Sequence, residues 1–329
     1  IHLNLQILLL FKKYIKALFS HILLMVIDML LKEIYSEYDY NIEITGVQTD
    51  SRFVKPGNLF LPIRGKNFEG DEFFIDAITK GAVAIVYDKA IHNLTIPVII
   101  VDNLEKELFR LIDLIYEKPY NELTMIGVTG TDGKTSVSTL TSYLLNHLSR
   151  CANIGTNGII YDKEIIDNVF TTPILTQNYS LLREFSNLGI SYVSMEVSSQ
   201  GIANKRIEGI LYDYAIFTNL SHEHLDTHKT MHNYFLTKLK LFKQLKKQGI
   251  MIVNKDDYYA KFFEKYSNVI YYSLFSPSDY QAIHIRYYQN HTVFDLKAKD
   301  FVLENLRVNR TEEYNIYNIL PAIIIALKE

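Results

Sequence analysis

The stretch Met125-Ile126-Gly127-Val128-Thr129-Gly130-Thr131-Asp132-Gly133-Lys134-Thr135-Ser136 decides how the rest of the chain is read. An apolar, strand-like run enters a glycine-bearing turn, and a helix-like segment follows. In that setting glycines let the backbone turn tightly and aim its N–H groups at a polyphosphate. Lys134 adds a point charge, and the Thr135 hydroxyl suits the magnesium that accompanies a nucleotide. The generic loop spacing, G-x-x-x-x-G-K-[ST], would put glycine at position 128, where Val128 stands. The pattern present is T-G-T-D-G-K-T. A glycine-rich turn with no ligand is the bland alternative, and the Lys134-Thr135 pair placed between strand and helix argues against it.

Outward from the loop, strand-like runs at Met125 to Val128, Tyr192 to Val197, Tyr214 to Thr218 and Ile250 to Asn254 alternate with helical segments. Such alternation predicts an α/β domain with a mostly parallel sheet and ligands at the carboxyl ends of its strands. The polar motifs fall at those ends. Glu196 closes an apolar run, where a carboxylate is expensive unless a cation or donors receive it. Magnesium, with hard oxygen ligands such as Thr135 and Glu196, meets that need; a strand-end carboxylate reaching solvent is the alternative. His222, His224, His228 and His232 invite a zinc reading, but no cysteine is near, and Asp226-Thr227 reads as a break before the next helix. In the helix beginning near Met231, Phe235, Leu239 and Phe242 form the apolar stripe. Lys238 shares that face, while Lys240, Lys243 and Lys247 point outward. Its amine either snorkels or is modified.

With 329 residues, 48% of them hydrophobic, the chain can bury two sizeable cores. A net charge of −3 from 34 basic and 37 acidic residues marks no nucleic-acid binder. The single cysteine, Cys151, suits a reducing cytoplasm and a buried structural role. Residues 1–24 are apolar but interrupted by Lys12, Lys13 and Lys16, short of the roughly 18 to 20 apolar residues a span requires. They are expected to be an extension outside the functional fold, with a membrane-surface helix as the alternative and no stable membrane insertion. Residues 25–120 then form one small α/β domain with a linker around Lys118-Pro119, and 121–329 a second domain. In the first, a Ser51-Arg52 pair in a turn offers a hydroxyl and a guanidinium fork to a diphosphate or a uracil edge; a solvated surface turn is the bland reading.

These residues, in this order, resemble the Mur ligase family. T-G-T-D-G-K-T is similar to its T-G-T-N-G-K-[ST] loop, with Asp132 for asparagine. Asp50-Ser51-Arg52, Pro56-Gly57-x-Leu59-Phe60, Gly65 to Gly70 and Gly81-Ala82-x-Ala84 resemble the uridine-nucleotide-binding domain of the MurE and MurF branches. Asn153 to Gly158, Thr171-Thr172-Pro173 and Met195 to Gly201 are similar to MurE in particular. The resemblance implies a small α/β domain for UDP-MurNAc over 25–120 and a P-loop-type ATPase domain over 121–329.

The same resemblance implies roles. Gly130, Thr131, Asp132, Gly133, Lys134, Thr135 and Ser136 would hold ATP phosphates, and Asn318 of Tyr314-Asn315-x-x-Asn318 the adenine. Ser51 and Arg52 would hold the uridine nucleotide. Thr171, Thr172, Ser198 and Arg206 would hold the muramoyl dipeptide, with Asn204 where glutamine is common. Thr135 and Glu196 would ligate one Mg2+; His224 and a carbamylated Lys238, in the Y-x-x-x-K context of Tyr234, a second. Lys134, Lys238, His224 and Glu196 would be the catalytic set, and Glu223 replaces a usual aspartate. The implied activity is ATP-dependent amide ligation in peptidoglycan synthesis, adding L-lysine or meso-diaminopimelate to UDP-MurNAc-L-Ala-D-Glu through an acyl phosphate, as a cytoplasmic monomer. The family's C-terminal domain, with its amino-acid selector, is expected to be missing after Glu329, so that nucleotides bind without completed catalysis. A competing reading is a module that binds UDP-sugar or ATP without turnover.

Overall fold

The computed structural model describes residues 29–63, 70–223 and 225–329. The expected extension at 1–24, most of the Gly65–Gly70 segment and His224 lie outside the described residues. The chain divides into two compact units, one running to Lys118 and including Tyr179–Leu188, the other comprising Pro119–Asn178 and Gly189–Glu329.

In the first unit β1 (Met29–Leu30) pairs antiparallel with β2 (Glu43–Ile44), and α1 (Leu31–Ile34) lies between them in the chain. Four short strands, β3 (Gly46–Gln48), β4 (Asn58–Phe60), β5 (Ala84–Tyr87) and β6 (Val98–Ile100), then form a wholly parallel sheet in that order. Helices α2 (Phe74–Thr79) and α3 (Leu104–Tyr116) supply the crossovers and the flank. The second is dictated by its sequence: Asn103 caps it by accepting from the Lys106 amide, and Leu108, Leu111, Ile112 and Ile115 make a buried stripe at helical spacing. The core gathers Phe60, Phe74 and Tyr87, with Phe74 and Tyr87 edge-to-face at 5.2 Å.

The second unit is built on an eleven-stranded sheet. Its strands are β7 (Thr124–Thr129), β8 (Cys151–Gly155), β9 (Gly158–Tyr161), β10 (Glu164–Ile166), β11 (Tyr192–Glu196), β12 (Tyr212–Phe217), β13 (Leu245–Asn254), β14 (Val269–Ser273), β15 (Tyr280–Tyr287), β16 (Thr292–Ala298) and β17 (Val302–Val308). Their order is β10-β9-β8-β11-β7-β12-β13-β14-β15-β16-β17. From β8 to β15 every pairing is parallel; β9 and β10 at one edge, and β16 and β17 at the other, are antiparallel. The four strands expected from the sequence form the middle of this sheet. There Ile126, Val128, Val193, Met195, Ile216 and Ile252 are buried, which is why those segments read as continuous apolar runs.

Crossovers and flanks are α4 (Lys134–Leu145), α6 (Ser199–Ala203), α7 (Leu225–His228), α8 (Met231–Phe242) and α9 (Tyr314–Lys328), whereas α5 (Leu175–Asn187) belongs to the first unit from Tyr179 onward. Val137 and Leu145 of α4 share a core with Ile316, Leu320, Ile324 and Ile325 of α9. In α8 the expected face is buried, Phe235, Leu239 and Phe242 together with Lys238, and Lys240 and the C-terminal cap Lys243 are exposed; Lys247, expected on the same helix, is exposed in β13, because the helix ends at Phe242. Where the sequence suggested a break at Asp226-Thr227, the chain makes the short helix α7.

Candidate functional site

The phosphate-type loop runs from the end of β7 to the start of α4. Gly133 adopts φ 82°, and a Cβ there would overlap the side-chain oxygen of Asn318, so both conformation and space require glycine. The loop is pinned from the end of β12. Asn219 accepts from the Thr131 amide through its carbonyl and from the Asp132 amide through its side chain, both at 2.9 Å, while Thr218 Oγ1 donates to the Asp132 carbonyl at 2.7 Å. Lys134 Nζ donates to the carbonyls of Thr131 (2.6 Å) and Gly130 (3.1 Å). Burial lowers its pKa, and Glu196 leads the acidic groups that oppose the shift. The first amides of α4 have no intrahelical acceptor and carry the positive end of the helix dipole, the arrangement that receives a phosphate. Ser136 is exposed on that helix.

Glu196 ends β11 at 1% exposure. Its carboxylate accepts from Thr135 Oγ1 (2.8 Å), the Thr156 amide (2.8 Å) and Thr156 Oγ1 (3.3 Å). Among the described residues no lysine or arginine forms an ion pair with it. Gly155 makes this packing possible, because a Cβ there would overlap the carboxylate. A buried carboxylate with only neutral donors calls for a cation, and with the Thr135 hydroxyl it offers the hard oxygens magnesium takes. Among the described residues no three His, Cys, Asp or Glu side chains converge as a metal site. His222 and His232 are exposed, so the zinc reading gains nothing from them.

Lys238 is 1% exposed, and its Nζ donates to the Gly130 carbonyl at 2.6 Å and lies 4.4 Å from the Tyr234 ring centre. Snorkelling is therefore not what this lysine does. Burial, then the neighbouring Lys134 charge, holds its pKa well below the ordinary lysine value. The Tyr234 hydroxyl is 3.4 Å from Thr131 Oγ1, and His228 stacks on the Tyr234 ring at 4.9 Å.

Lys134, Thr135, Glu196 and Lys238 share one cavity of about 610 Å³ with Thr171, Ser198 and Arg206. The Arg206 guanidinium lies 4.0 Å over Phe170 and donates to the Thr172 carbonyl at 3.0 Å. Thr172 itself is fully buried, its hydroxyl donating to the Glu196 carbonyl at 2.8 Å and accepting from the Ser198 amide at 3.0 Å. It braces the end of β11 rather than lining the cavity. Asn204 is exposed at the end of α6 and is not in the lining.

On the other side of the loop, Asp132, Gly133 and Asn318 border a cavity of about 300 Å³ with Tyr272, Tyr314 and Tyr317. Ser51 and Arg52 line a separate cavity of about 360 Å³ within the first unit. There Asp50 grips the Arg52 guanidinium at 2.6 Å and caps the turn by accepting from the Arg52 amide at 3.0 Å. Sequence reasoning missed Asn219, Thr156 and Phe170. Each does its work across the sheet or the cavity; Thr156 and Asn219 had the local signal of position just past a strand's carboxyl end, and Phe170, in the loop after β10, had only its place beside Thr171.

A family model described as Mur ligase middle domain matches residues 128–326, and one described as Mur ligase family, catalytic domain, matches residues 43–111. The chain belongs to the Mur ligase family. It is 38% identical over 292 residues to UDP-N-acetylmuramyl-tripeptide synthetase 2 of Oceanobacillus iheyensis, covering 85% of this chain and 59% of that protein. It is 34% identical over 300 residues to a UDP-N-acetylmuramoyl-L-alanyl-D-glutamate–2,6-diaminopimelate ligase of Listeria monocytogenes, covering 87% and 60%. A solved structure of a ligase of that second name superposes with a TM-score of 0.72 at 25% identity, over 92% of this chain and 64% of that one. A MurF ligase from Thermotoga maritima in complex with ADP shares the fold, with a TM-score of 0.61 at 20% identity over 86% and 62%. The chain spans about six-tenths of the length of the curated relatives it matches.

Proposed function

We propose that this chain carries the uridine-nucleotide-binding part (25–120) and the ATP-binding part (121–329) of an ATP-dependent, ADP-forming amide ligase of peptidoglycan precursor synthesis. Its substrates are UDP-MurNAc-L-Ala-D-Glu and an amino acid, L-lysine or meso-diaminopimelate. The relatives' names support this substrate class. One observation carries the chemistry: a buried carboxylate, Glu196, with no ion-pair partner among the described residues, bonded to Thr135 of the phosphate loop in the same cavity as Lys134, Lys238 and Arg206.

In this reading a D-glutamyl γ-carboxylate oxygen attacks the γ-phosphorus of ATP, and ADP leaves with the bonding electron pair. The amine of the incoming amino acid then attacks the acyl carbon, loses a proton and displaces phosphate. Lys134 and the first amides of α4 orient the polyphosphate and balance its charge as it redistributes. Arg206, Thr171 and Ser198 orient the dipeptide; Ser51 and Arg52 hold the uridine nucleotide. Thr135 and Glu196 would hold one magnesium ion, and His224 with Lys238 a second. When bound, such ions neutralise phosphoryl oxygens. As an ammonium Lys238 is no metal ligand; its lowered pKa favours the neutral amine, which would add carbon dioxide and lose a proton to solvent to become a carboxylate-like carbamate. Among the described residues no helix is long and apolar enough to cross a membrane; a cytoplasmic monomer is proposed.

Calorimetry with ATP and magnesium, and separately with UDP-MurNAc-L-Ala-D-Glu, tests the assignment. Both should bind the chain, and Lys134→Ala should lose the first while keeping the fold. Absence of heat with either ligand in the parent chain overturns the reading.

A further inference from the structure

The cavity beside Asn318 is lined by polar side chains, almost all of which are already committed. Asn219 uses both ends of its amide on the Asp132 backbone. Asn254 donates to the Thr218 carbonyl (2.9 Å) and accepts from the Asp256 amide (3.1 Å). Asp256 receives the amides of Leu274, Phe275 and Ser276 at 2.8 to 3.0 Å and the Tyr317 hydroxyl at 2.8 Å. Asp257 receives the amides of Leu220 (2.9 Å) and Tyr259 (2.8 Å). What remains is the exposed Asp132 carboxylate, which accepts from Ser221 Oγ at 3.5 Å, the Asn318 amide, the hydroxyl of Tyr314 at the rim, where that residue is 60% exposed, and the hydroxyl of Tyr272.

Tyr272 differs from the rim tyrosine in one respect. It is fully buried, and its hydroxyl has no hydrogen-bond partner among the described residues. A native protein rarely leaves such a group unmatched. Burial, followed by the nearby Asp257, Tyr317 and Asp256, pushes its pKa up, so the group stays an O–H donor with a lone pair to spare. The edge of an aminopurine presents the complement, a ring nitrogen that accepts beside an exocyclic amine that donates. Resting on the ATP-binding reading above, we propose that Tyr272 is a base-recognising residue: its hydroxyl, with the Asn318 amide, hydrogen-bonds the edge of the nucleotide's purine.

The test is Tyr272→Phe, which deletes the hydroxyl and keeps the ring. ATP should bind about five- to tenfold more weakly, the scale of one neutral hydrogen bond. Inorganic tripolyphosphate should bind as before. The ligand-free variant should melt no lower than the parent, since it loses an unpaired buried hydroxyl and no protein contact. Unchanged ATP affinity, or an equal loss for tripolyphosphate, overturns the proposal. If Lys134→Ala abolishes ATP binding while Tyr272→Phe leaves it intact, the nucleotide reading survives and only this proposal fails. If the parent chain binds no ATP, both fail. Should the variant not fold, base-altered nucleotides on the parent decide: 1-deaza-ATP or purine riboside triphosphate should bind about fivefold more weakly than ATP, and equal binding of all three overturns the proposal.

Discussion

Lys238 keeps its amine inside the protein, at 1% exposure and within 2.6 Å of the Gly130 carbonyl of the phosphate loop. Its place on the apolar face of α8 was legible, because Phe235, Leu239 and Phe242 define that face by period alone. Its acceptor was not: the Gly130 carbonyl lies 108 residues earlier and reaches the amine only because β7 and α8 belong to one packed unit. The sign of its titration follows from burial. Below about pH 10.4 the unfolded chain protonates this amine while the folded chain does not. The unmodified lysine therefore weakens the fold increasingly as pH falls, until the folded amine itself takes the proton. Near neutral pH its neutral fraction far exceeds that of a surface lysine, which is the condition for carbamate formation. With 13C-labelled bicarbonate the chain should show a carbamate carbonyl resonance by NMR that disappears on acidification and in Lys238→Ala. A parent spectrum without it sinks the carbamate role. In the active ligase, acetate or propionate should partly restore the turnover lost in Lys238→Ala.

At the scale of elements, the strand–loop–helix from Met125 to Ser136 was readable because its signals are local: an apolar run, the two loop glycines Gly130 and Gly133, and a Lys-Thr pair. The brace that holds it was unreadable, since Asn219 becomes relevant only when β12 lies beside β7. Asn219→Ala should keep the fold and weaken ATP binding roughly tenfold, the effect of losing side-chain hydrogen bonds worth about 1 kcal/mol or a little more; calorimetry at parent-like affinity would contradict the brace. The edge hairpins were invisible for a different reason. β10 is exposed along its length, and β15 to β17 carry register shifts at Ile283/Arg286 and Phe294/Leu296, so neither shows clean alternation. In β8 the buried Cys151 thiol is pushed up to about 12 by desolvation. Ellman's reagent at pH 8 should label it only after unfolding. Because the unfolded thiol ionises near pH 8.5, its contribution to stability should be full below that pH and fall away between there and about 12; Cys151→Ala should flatten that part of the alkaline stability curve.

For the whole molecule, composition bounded the answer without reaching the site: two cores and a near-neutral charge fit many α/β enzymes. What narrowed it was the order of short motifs along the chain, each at a strand end or turn, and the structure gives those motifs unequal parts. Thr172 and Glu196 interlock as a frame, whereas Arg206 faces the cavity with its guanidinium stacked on Phe170. One of its nitrogens is tied to the Thr172 carbonyl at 3.0 Å, which aims the planar fork without exhausting its donors. An anionic group of the dipeptide meeting that fork would make a charge-assisted bond. Arg206→Ala should therefore weaken UDP-MurNAc-L-Ala-D-Glu binding by roughly 1.5 to 3 kcal/mol, about ten- to hundredfold in Kd. ATP affinity should hold, because the phosphate loop is braced by Asn219 and Thr218 and by nothing from Arg206. Thr172→Val, by contrast, removes a bond from the frame and should lower the melting temperature. Calorimetry and thermal melts on the two variants separate the roles: parent-like dipeptide affinity in Arg206→Ala would remove it from the substrate site, and a loss of both ligands would make it part of the frame.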